Sequence, residues 1–348
     1  MKAAPARLAP HFVSRIWGAR TLKPLFEVPP GPEPIGEVWL TGEQSSFACG
    51  EFAGRSLAEV WPSLPPACTG TRIQHSARIP LLVKFLFPED KLSVQVHPSD
   101  DYARAHESGP APVGKTEMWY VIDSRPGAQI AVGFRPGVTR ESFERSISNG
   151  TAEDALQHIS VQPGQTYFVP AGTPHLIGPG MVICEIQQHS DITYRVFDFN
   201  RRQSDGTLRP LHIRQAMDVL NFGASHGGAT DPVRVRSGAL TKTYLAACAY
   251  FTTEKWEFAQ AVAGSTSIDR FELLIPISGR GTIETAAGAL EYGPAQVWLL
   301  PASLGDYRLL PAMPTTLLRT YVPDLQTLTR QLAAEGVTAA EASRLIQP

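Results

Sequence analysis

The pattern that most constrains this chain lies between Gly164 and His175. Gly164 is followed after five residues by Pro170-Ala171-Gly172-Thr173-Pro174-His175, a G-x5-P-x-G-x-x-H spacing. The run from Gln165 to Val169 predicts a strand, and Pro170 ends its hydrogen-bond ladder. The tight turn that follows needs Gly172, and His175 is presented at the start of the next strand. The chain therefore has to place an imidazole at a fixed point between two paired strands. Similar short β-type runs recur at Ile35 to Leu40, Ile79 to Phe87, Leu92 to Val96, Lys115 to Ile122, Val182 to Gln187 and across residues 240 to 322. With 30 prolines and 29 glycines in 348 residues, this predicts a turn-rich, mainly β architecture.

Helical patterning is confined to short stretches. Ser56-Leu57-Ala58-Glu59 has the spacing of a capping box. Thr139 to Phe143 and Thr151 to Leu156 look like two capped short helices, a small helical insertion at about residues 138–159. Leu211 to Phe222 has helical spacing, and Thr338 to Glu341 opens a C-terminal helix. Residues 1–35 are Pro-rich and expected to be extended, 99–114 form a polar loop, and Gly223 to Thr230 a linker.

A net charge of −2, with 18% charged and 43% hydrophobic residues, carries no electrostatic footprint for nucleic acid or an anionic membrane. No run approaches 18 apolar residues, and Met1 to Pro5 lacks a signal-peptide core. Cys49, Cys68, Cys184 and Cys248 form no CxxC pair, so reduced thiols and a cytoplasmic setting are expected.

Leu92-Ser93-Val94-Gln95-Val96-His97-Pro98 carries the second informative pattern. Residues i and i+2 of a strand share a face, so Gln95 and His97 project together while Val94 and Val96 project the other way. A hydrogen-bonded pair and a pair of metal ligands are both consistent with these residues alone. The Gly164–His175 spacing decides between them, because it resembles the second motif of the cupin superfamily, double-sheet jelly rolls that hold a metal inside the barrel. One departure is Pro179, where the full motif has Asn four residues after the His. Gln95, His97, Glu117 and His175 then form an N/O ligand set from three strands, suited to Zn2+ as a Lewis acid. Cupin oxygenases typically use three His and one Glu. Gln95 in place of a His argues for polarising a carbonyl or hydroxyl oxygen instead.

The blocks LSVQVHP (Leu92 to Pro98), GKTEMWY (Gly114 to Tyr120), VPAGTPH (Val169 to His175) and EIQQHSDITYR (Glu185 to Arg195) are similar to those of type I phosphomannose isomerase. IGEVW (Ile35 to Trp39) and LLVK (Leu81 to Lys84) fit the same family, in its short bacterial form, over about residues 10–222. The resemblance implies an aldose–ketose isomerase that interconverts mannose 6-phosphate and fructose 6-phosphate with one zinc per chain. His189 departs from the family's usual Asn.

Such isomerisation moves a proton between C1 and C2 through an enediol, so it needs a base and oxyanion stabilisation. Alternation in Val182 to Gln187 puts Ile183, Glu185 and Gln187 on one face. If that face lines the barrel, Glu185 is a carboxylate in apolar surroundings, suited to act as a base. The resemblance assigns Arg195 a catalytic role and places Lys115, Glu185 and Asp191 in or near the pocket. Asp191 and Arg195 could equally be an ion pair that shapes the site. Lys84, the one charge in an apolar run, is a candidate for the phosphate, as is Lys115 for the substrate. The expected partner is a small sugar phosphate, and the assembly a monomer or homodimer. An isomerase for another sugar phosphate and a non-catalytic, metal-holding sensor are the alternatives. Retention of Lys115, Glu185, Asp191 and Arg195 speaks against the sensor.

The chain also repeats itself. Phe271 to Ile277 echoes Thr116 to Ile122, placing Glu272 opposite Glu117, and Leu300 to Asp306 echoes Val169 to His175. The interval from Glu117 to Pro170 is 53 residues and that from Glu272 to Pro301 is 29, the first copy carrying the insertion. The expected architecture is two cupin jelly-roll barrels: a catalytic domain over 1–222, a degenerate second over 235–322 without metal ligands, and a helical tail over 323–348.

Overall fold

The computed structural model describes residues 4–27, 31–73, 77–109, 112–203, 205–223 and 227–347. Their strands form four sheets, in two pairs. The chain divides into two compact units, and neither is continuous in sequence. One comprises Phe12–Val38 and Lys84–Ala229; the other comprises the stretch through His11, Trp39–Val83 and everything from Thr230 onward. Two segments expected in the first domain therefore cluster with the C-terminal strands. Backbone pairing is the physical reason: strand Ala6–Ala9 satisfies its amides against Val297–Leu300 on one side and Ser46–Phe47 on the other.

In the Phe12–Ala229 unit, strands Glu117–Ser124, Met181–Gln188 and Thr166–Val169 lie centrally in a seven-stranded sheet. The second sheet has five strands in the order Tyr194–Phe197, Val94–Val96, His175–Ile177, Gln129–Phe134, Leu156–Ser160. Trp17, Trp119, Tyr167 and Ile183 are among the buried apolar side chains of one core. Val94 and Val96 belong to another, with Phe143 from helix Arg140–Ser148 and Met217 from helix Ile213–Val219. The apolar face of the Val94–Val96 strand is thus committed to the helices, which leaves the Gln95 face for the barrel interior.

The helical insertion is shorter than its expected span. Thr139 caps Arg140–Ser148 through Ser142, a 3-10 turn covers Ala152–Ala155, and the chain then pairs as a strand, Ile159 opposite Ile130. Within the expected polar loop, Ser99 caps a helix over Asp100–His106. The expected linker falls in part on residues outside those described, and Gly228–Ala229 pairs with Phe168 and Tyr167. The Ser56 and Thr338 capping boxes form, and Asp324 caps a further helix, Leu325–Ala334.

The other unit pairs an eight-stranded with a four-stranded sheet around Trp256, Leu274, Trp298, Leu309 and Leu317. The internal repeat holds in register: Glu117 lies opposite Val169 in one barrel, and Glu272 opposite Leu300 in the other. Where the first barrel gathers imidazoles, the second gathers a guanidinium. Buried Arg319 donates from Nε to Glu272 Oε2 (2.8 Å) and from Nη1 to Glu254 Oε2 (3.0 Å). Glu254 also accepts from Trp256 Nε1 (2.7 Å) and the Tyr321 hydroxyl (2.9 Å).

Candidate active site

Strand pairing sets the row of functional residues on the five-stranded sheet. His175 is the direct cross-strand partner of Gln95, and Gln95 of Arg195, so all three project to one face of adjacent strands. Facing them, Gln187 pairs with Glu117 and Glu185 with Trp119, which puts both carboxylates on one inner face. Two glycines permit these approaches. Gly172 sits at φ +82°, and a Cβ there would meet Val219 O at 2.9 Å; its N–H donates to His97 O at 2.8 Å, tying the turn to the end of the neighbouring strand. A Cβ on Gly114 would lie 2.6 Å from the Asp100 amide nitrogen, so the loop carrying Lys115 can pass the helix start only as glycine.

His97, Glu117 and His175 are fully buried, and their potential ligand atoms lie within 4.8 Å of one another. His175 Nε2 is 3.4 Å from Glu117 Oε1, His97 Nε2 is 3.7 Å from Glu117 Oε2, and the Gln95 amide is 3.2 Å from His175 Nε2. Ligands about 2.0–2.1 Å from a tetrahedral ion stand roughly 3.3 Å apart, so the spacing fits. The tautomers fit as well. His97 Nδ1 donates to Ile192 O (2.8 Å) and His175 Nδ1 to Thr173 O (2.9 Å), leaving both Nε2 lone pairs inward. Burial, reinforced by Lys115, holds His97 well below the usual histidine range, and burial brings His175 down to about 4. Both rings are therefore neutral at pH 7. His97 Nε2 is buried without a hydrogen-bond partner among the described residues, a cost a cation would relieve. The Gln95 amide currently turns Nε2 to His175 and accepts from Ser93 Oγ on Oε1 (3.1 Å). Oxygen and nitrogen exchange by a half-turn of the amide, and Ser93 can accept as readily as donate.

Beside this cluster is a cavity of about 330 Å³ lined by Gln95, Lys84, Lys115, Glu185, Asp191 and Arg195. Every site residue expected from sequence thus lies in the cavity wall or in the cluster beside it. Lys115 Nζ is 2.8 Å from Glu117 Oε2 and 4.0 Å from Glu185 Oε1. Burial alone would lower the Lys115 ammonium, but Glu117 and Glu185 outweigh it and hold the group above its ordinary value. Glu185 accepts from Trp119 Nε1 at 3.2 Å. Burial pushes its carboxyl up to about 7, against the pull of Lys115 and Lys84. Lys84 Nζ sits among three carboxylates, 3.4 Å from Asp191 and 3.8 Å from Glu37 and Glu185. Asp191 pairs with Lys84 and not with Arg195. Arg195 Nε is buried without a hydrogen-bond partner among the described residues. Burial, with Arg209 and Arg15 adding repulsion, lowers its guanidinium.

The cavity also contains Arg15, Glu37 and Arg209, which the sequence reading missed. Glu37 stood in the IGEVW block, and strand alternation was its only signal; Arg15 and Arg209 carried none. Pro179, the motif departure, lies in an exposed turn after His175–Ile177 and removes no ligand from the cluster. His189 is buried after strand Met181–Gln188.

Two jelly rolls, one holding a buried His2Glu cluster beside a polar cavity, define a metal-binding cupin of bicupin type. No family model matches the chain. Mannose-6-phosphate isomerase ManA of Bacillus subtilis (strain 168) is 34% identical over 319 residues, 89% of this chain and 96% of the relative. Mannose-6-phosphate isomerase of Streptococcus mutans serotype c is 35% identical over 288 residues, 81% of this chain and 87% of the relative. The crystal structure of the mannose 6-phosphate isomerase from Bacillus subtilis superposes with a TM-score of 0.82 at 29% identity, covering 91% of this chain and 99% of the other. A zinc-bound mannose 6-phosphate isomerase shares the fold, with a TM-score of 0.73 at 17% identity over 92% of this chain and 100% of the other. The chain belongs to the mannose-6-phosphate isomerase family of aldose–ketose isomerases.

Proposed function

We propose that this chain interconverts mannose 6-phosphate and fructose 6-phosphate in the cytoplasm, with one Zn2+ per chain held by Gln95, His97, Glu117 and His175. The observation that carries this reading is Lys115, whose ammonium touches a carboxylate of the ligand cluster and approaches Glu185, the cavity carboxylate poised near neutrality. A carboxylate of that basicity exchanges a carbon-bound proton at pH 7 more effectively than one titrating at about 4. Zinc, when bound, supplies Lewis-acid polarisation of a substrate oxygen.

The chain's own groups divide the remaining work. Glu185 takes the proton from C2 of the aldose and returns it to C1 while the hydroxyl proton passes from O2 to O1, with Trp119 N–H fixing the carboxylate's orientation. Lys115 stays cationic and neutralises charge developing on the neighbouring oxygen. Arg195, aligned with Gln95 and free of a carboxylate partner, supplies a second cation at the reacting end. Asp191 and Glu37 hold Lys84, which in turn steadies Glu185.

The test uses purified chain stripped with EDTA, then restored with Zn2+, and follows conversion of mannose 6-phosphate to fructose 6-phosphate. Turnover that is lost on stripping and regained with Zn2+ supports the reading. Zinc-loaded protein with no turnover of mannose 6-phosphate refutes it, and turnover of a different hexose phosphate would reassign the substrate.

A further inference from the structure

The cavity's cations are not equally available to a ligand. Lys84 is surrounded by carboxylates, and Lys115 is engaged by Glu117. Arg15 turns Nε and Nη2 to Glu37, at 3.2 and 3.1 Å. Arg209 is paired through the same two nitrogens, but lacks the third contact that Arg15 makes from Nη1 to Ser14 O at 3.5 Å. Its Nε donates to Asp198 Oδ2 at 2.7 Å and its Nη2 to Asp198 Oδ1, while Nη1 makes no hydrogen bond among the described residues. Asp198 is itself shared with Arg201, which is further secured by Asp90 and the Lys91 carbonyl. A buried carboxylate split between two guanidiniums neutralises neither fully, so Arg209, in the cavity wall, keeps charge and a nitrogen without a partner among the described residues. Its charge reaches Arg195, which lines the same cavity and has no carboxylate hydrogen-bonded to it among the described residues.

The turn that positions this group is strained. Phe199 and Asn200 follow Asp198 at φ 55° and 54°, a left-handed pair that is costly for a phenylalanine. Phe199 is held there by Phe197 (ring centroids 4.9 Å) and by the Lys91 and Arg201 cations at 5.3 and 5.4 Å. Strain of this kind persists where surrounding contacts over-determine it, and it clusters at ligand clamps.

We propose that Arg209, positioned by Asp198, binds the phosphate of the substrate and so confers specificity for phosphorylated sugars. This rests on the isomerase reading above. A phosphate monoester is close to a dianion at pH 7 and favours a planar guanidinium edge. Arg209 and Arg195 together offer two cations, with Arg195 bridging from the reacting end of the site.

The experiment compares wild type with Arg209→Gln, Arg209→Lys and Asp198→Asn, after confirming equal zinc content and melting temperature. Removing a charge-assisted contact is expected to raise KM for mannose 6-phosphate roughly 10- to 100-fold, with kcat changed less than about threefold. The inhibition constant for inorganic phosphate should rise in parallel, and Arg209→Lys should recover part of the loss. Asp198→Asn should raise KM by a smaller factor, since it leaves the guanidinium present but loosely aimed. Wild-type KM and phosphate inhibition in Arg209→Gln would overturn the assignment while leaving the isomerase reading intact. Calorimetric titration with inorganic phosphate separates the two ideas. If wild type fails to isomerise yet binds phosphate, and Arg209→Gln does not, the anion site stands without the activity. Equal phosphate binding by both proteins would overturn it.

Discussion

Arg319→Met in the second barrel tests the role of a buried cation directly. The substitution keeps apolar volume but removes the guanidinium that bonds both Glu272 and Glu254, two carboxylates with no solvent exposure. Glu254 would retain Trp256 and Tyr321 as donors, whereas among the described residues Glu272 would retain only Arg270, 3.9 Å away. Breaking a buried pair by removing one partner costs about 3–5 kcal/mol, because a charge is left uncompensated. At ~2–4 °C per kcal/mol for a unit of this size, melting should fall by roughly 6–20 °C, read by scanning calorimetry. The pH dependence should change too. In the native protein burial opposes ionisation of Glu254, but Arg319 and Lys242 outweigh it and hold its carboxyl below the ordinary range. That contribution is present above the unfolded value and lost as acid passes through the folded one. In Arg319→Met the burial that opposes ionisation of Glu254 is offset by less charge, so the defect shrinks in acid and grows as pH rises. Combining Arg319→Met with Glu254→Gln and Glu272→Gln should recover part of the loss. Melting of Arg319→Met within about 2 °C of wild type at pH 7 would refute the reasoning, since a buried, unpaired carboxylate cannot cost so little.

Three further outcomes concern the first barrel. His97→Ala and Glu117→Ala should each drop bound zinc well below one ion per chain, measured by elemental analysis of dialysed protein. Arg195→Ala should keep its zinc and lose about 100-fold in kcat, the usual cost of one transition-state donor; a fully active variant would remove Arg195 from catalysis. The acid limb of kcat/KM should reflect Glu185, whose carboxyl is held near 7 by burial. Activity therefore falls as pH drops below that value, or below a lower one where bound zinc adds positive charge, and Glu185→Gln should abolish turnover rather than shift the limb.

Much of the site was legible because its residues sit at fixed spacings on paired strands. Gln95 and His97 are two apart on one strand, Glu117 opens another, and the Gly172 turn delivers His175 opposite Gln95. Alternation likewise identified the face of Glu185. Glu37 and the guanidiniums of Arg15 and Arg209 were not legible. Arg15 meets Glu37 across 22 residues and Lys84 meets Asp191 across 107, and no local pattern encodes either meeting. Helix Asp100–His106 did carry a signal, Ser99 followed by two aspartates with Arg104 and His106 in the last turn. Its polar composition hid that signal among loop residues. The boundary between units was hidden for a different reason. A short strand such as Ala6–Ala9 has no sequence mark for its distant partner, and its pairing is set by where unsatisfied amides remain.

That pairing bears on how the chain comes together during synthesis. The Phe12–Ala229 unit is complete once residue 229 has emerged, and its contacts can form while the rest is still being made. The other unit cannot close at that stage. Ala6–Ala9 must wait for Val297–Leu300, nearly the full length of the chain, and pays the closure entropy of that span. Because its first strands are made at the start and its last near the end, the second barrel assembles late. Until it does, strand Ala6–Ala9 lacks that partner and is open to wrong ones. Truncation near residue 230 should therefore leave the first unit with its ligand cluster intact, and leave Ala6–Ala9 and Ser46–Phe47 without the sheet they join.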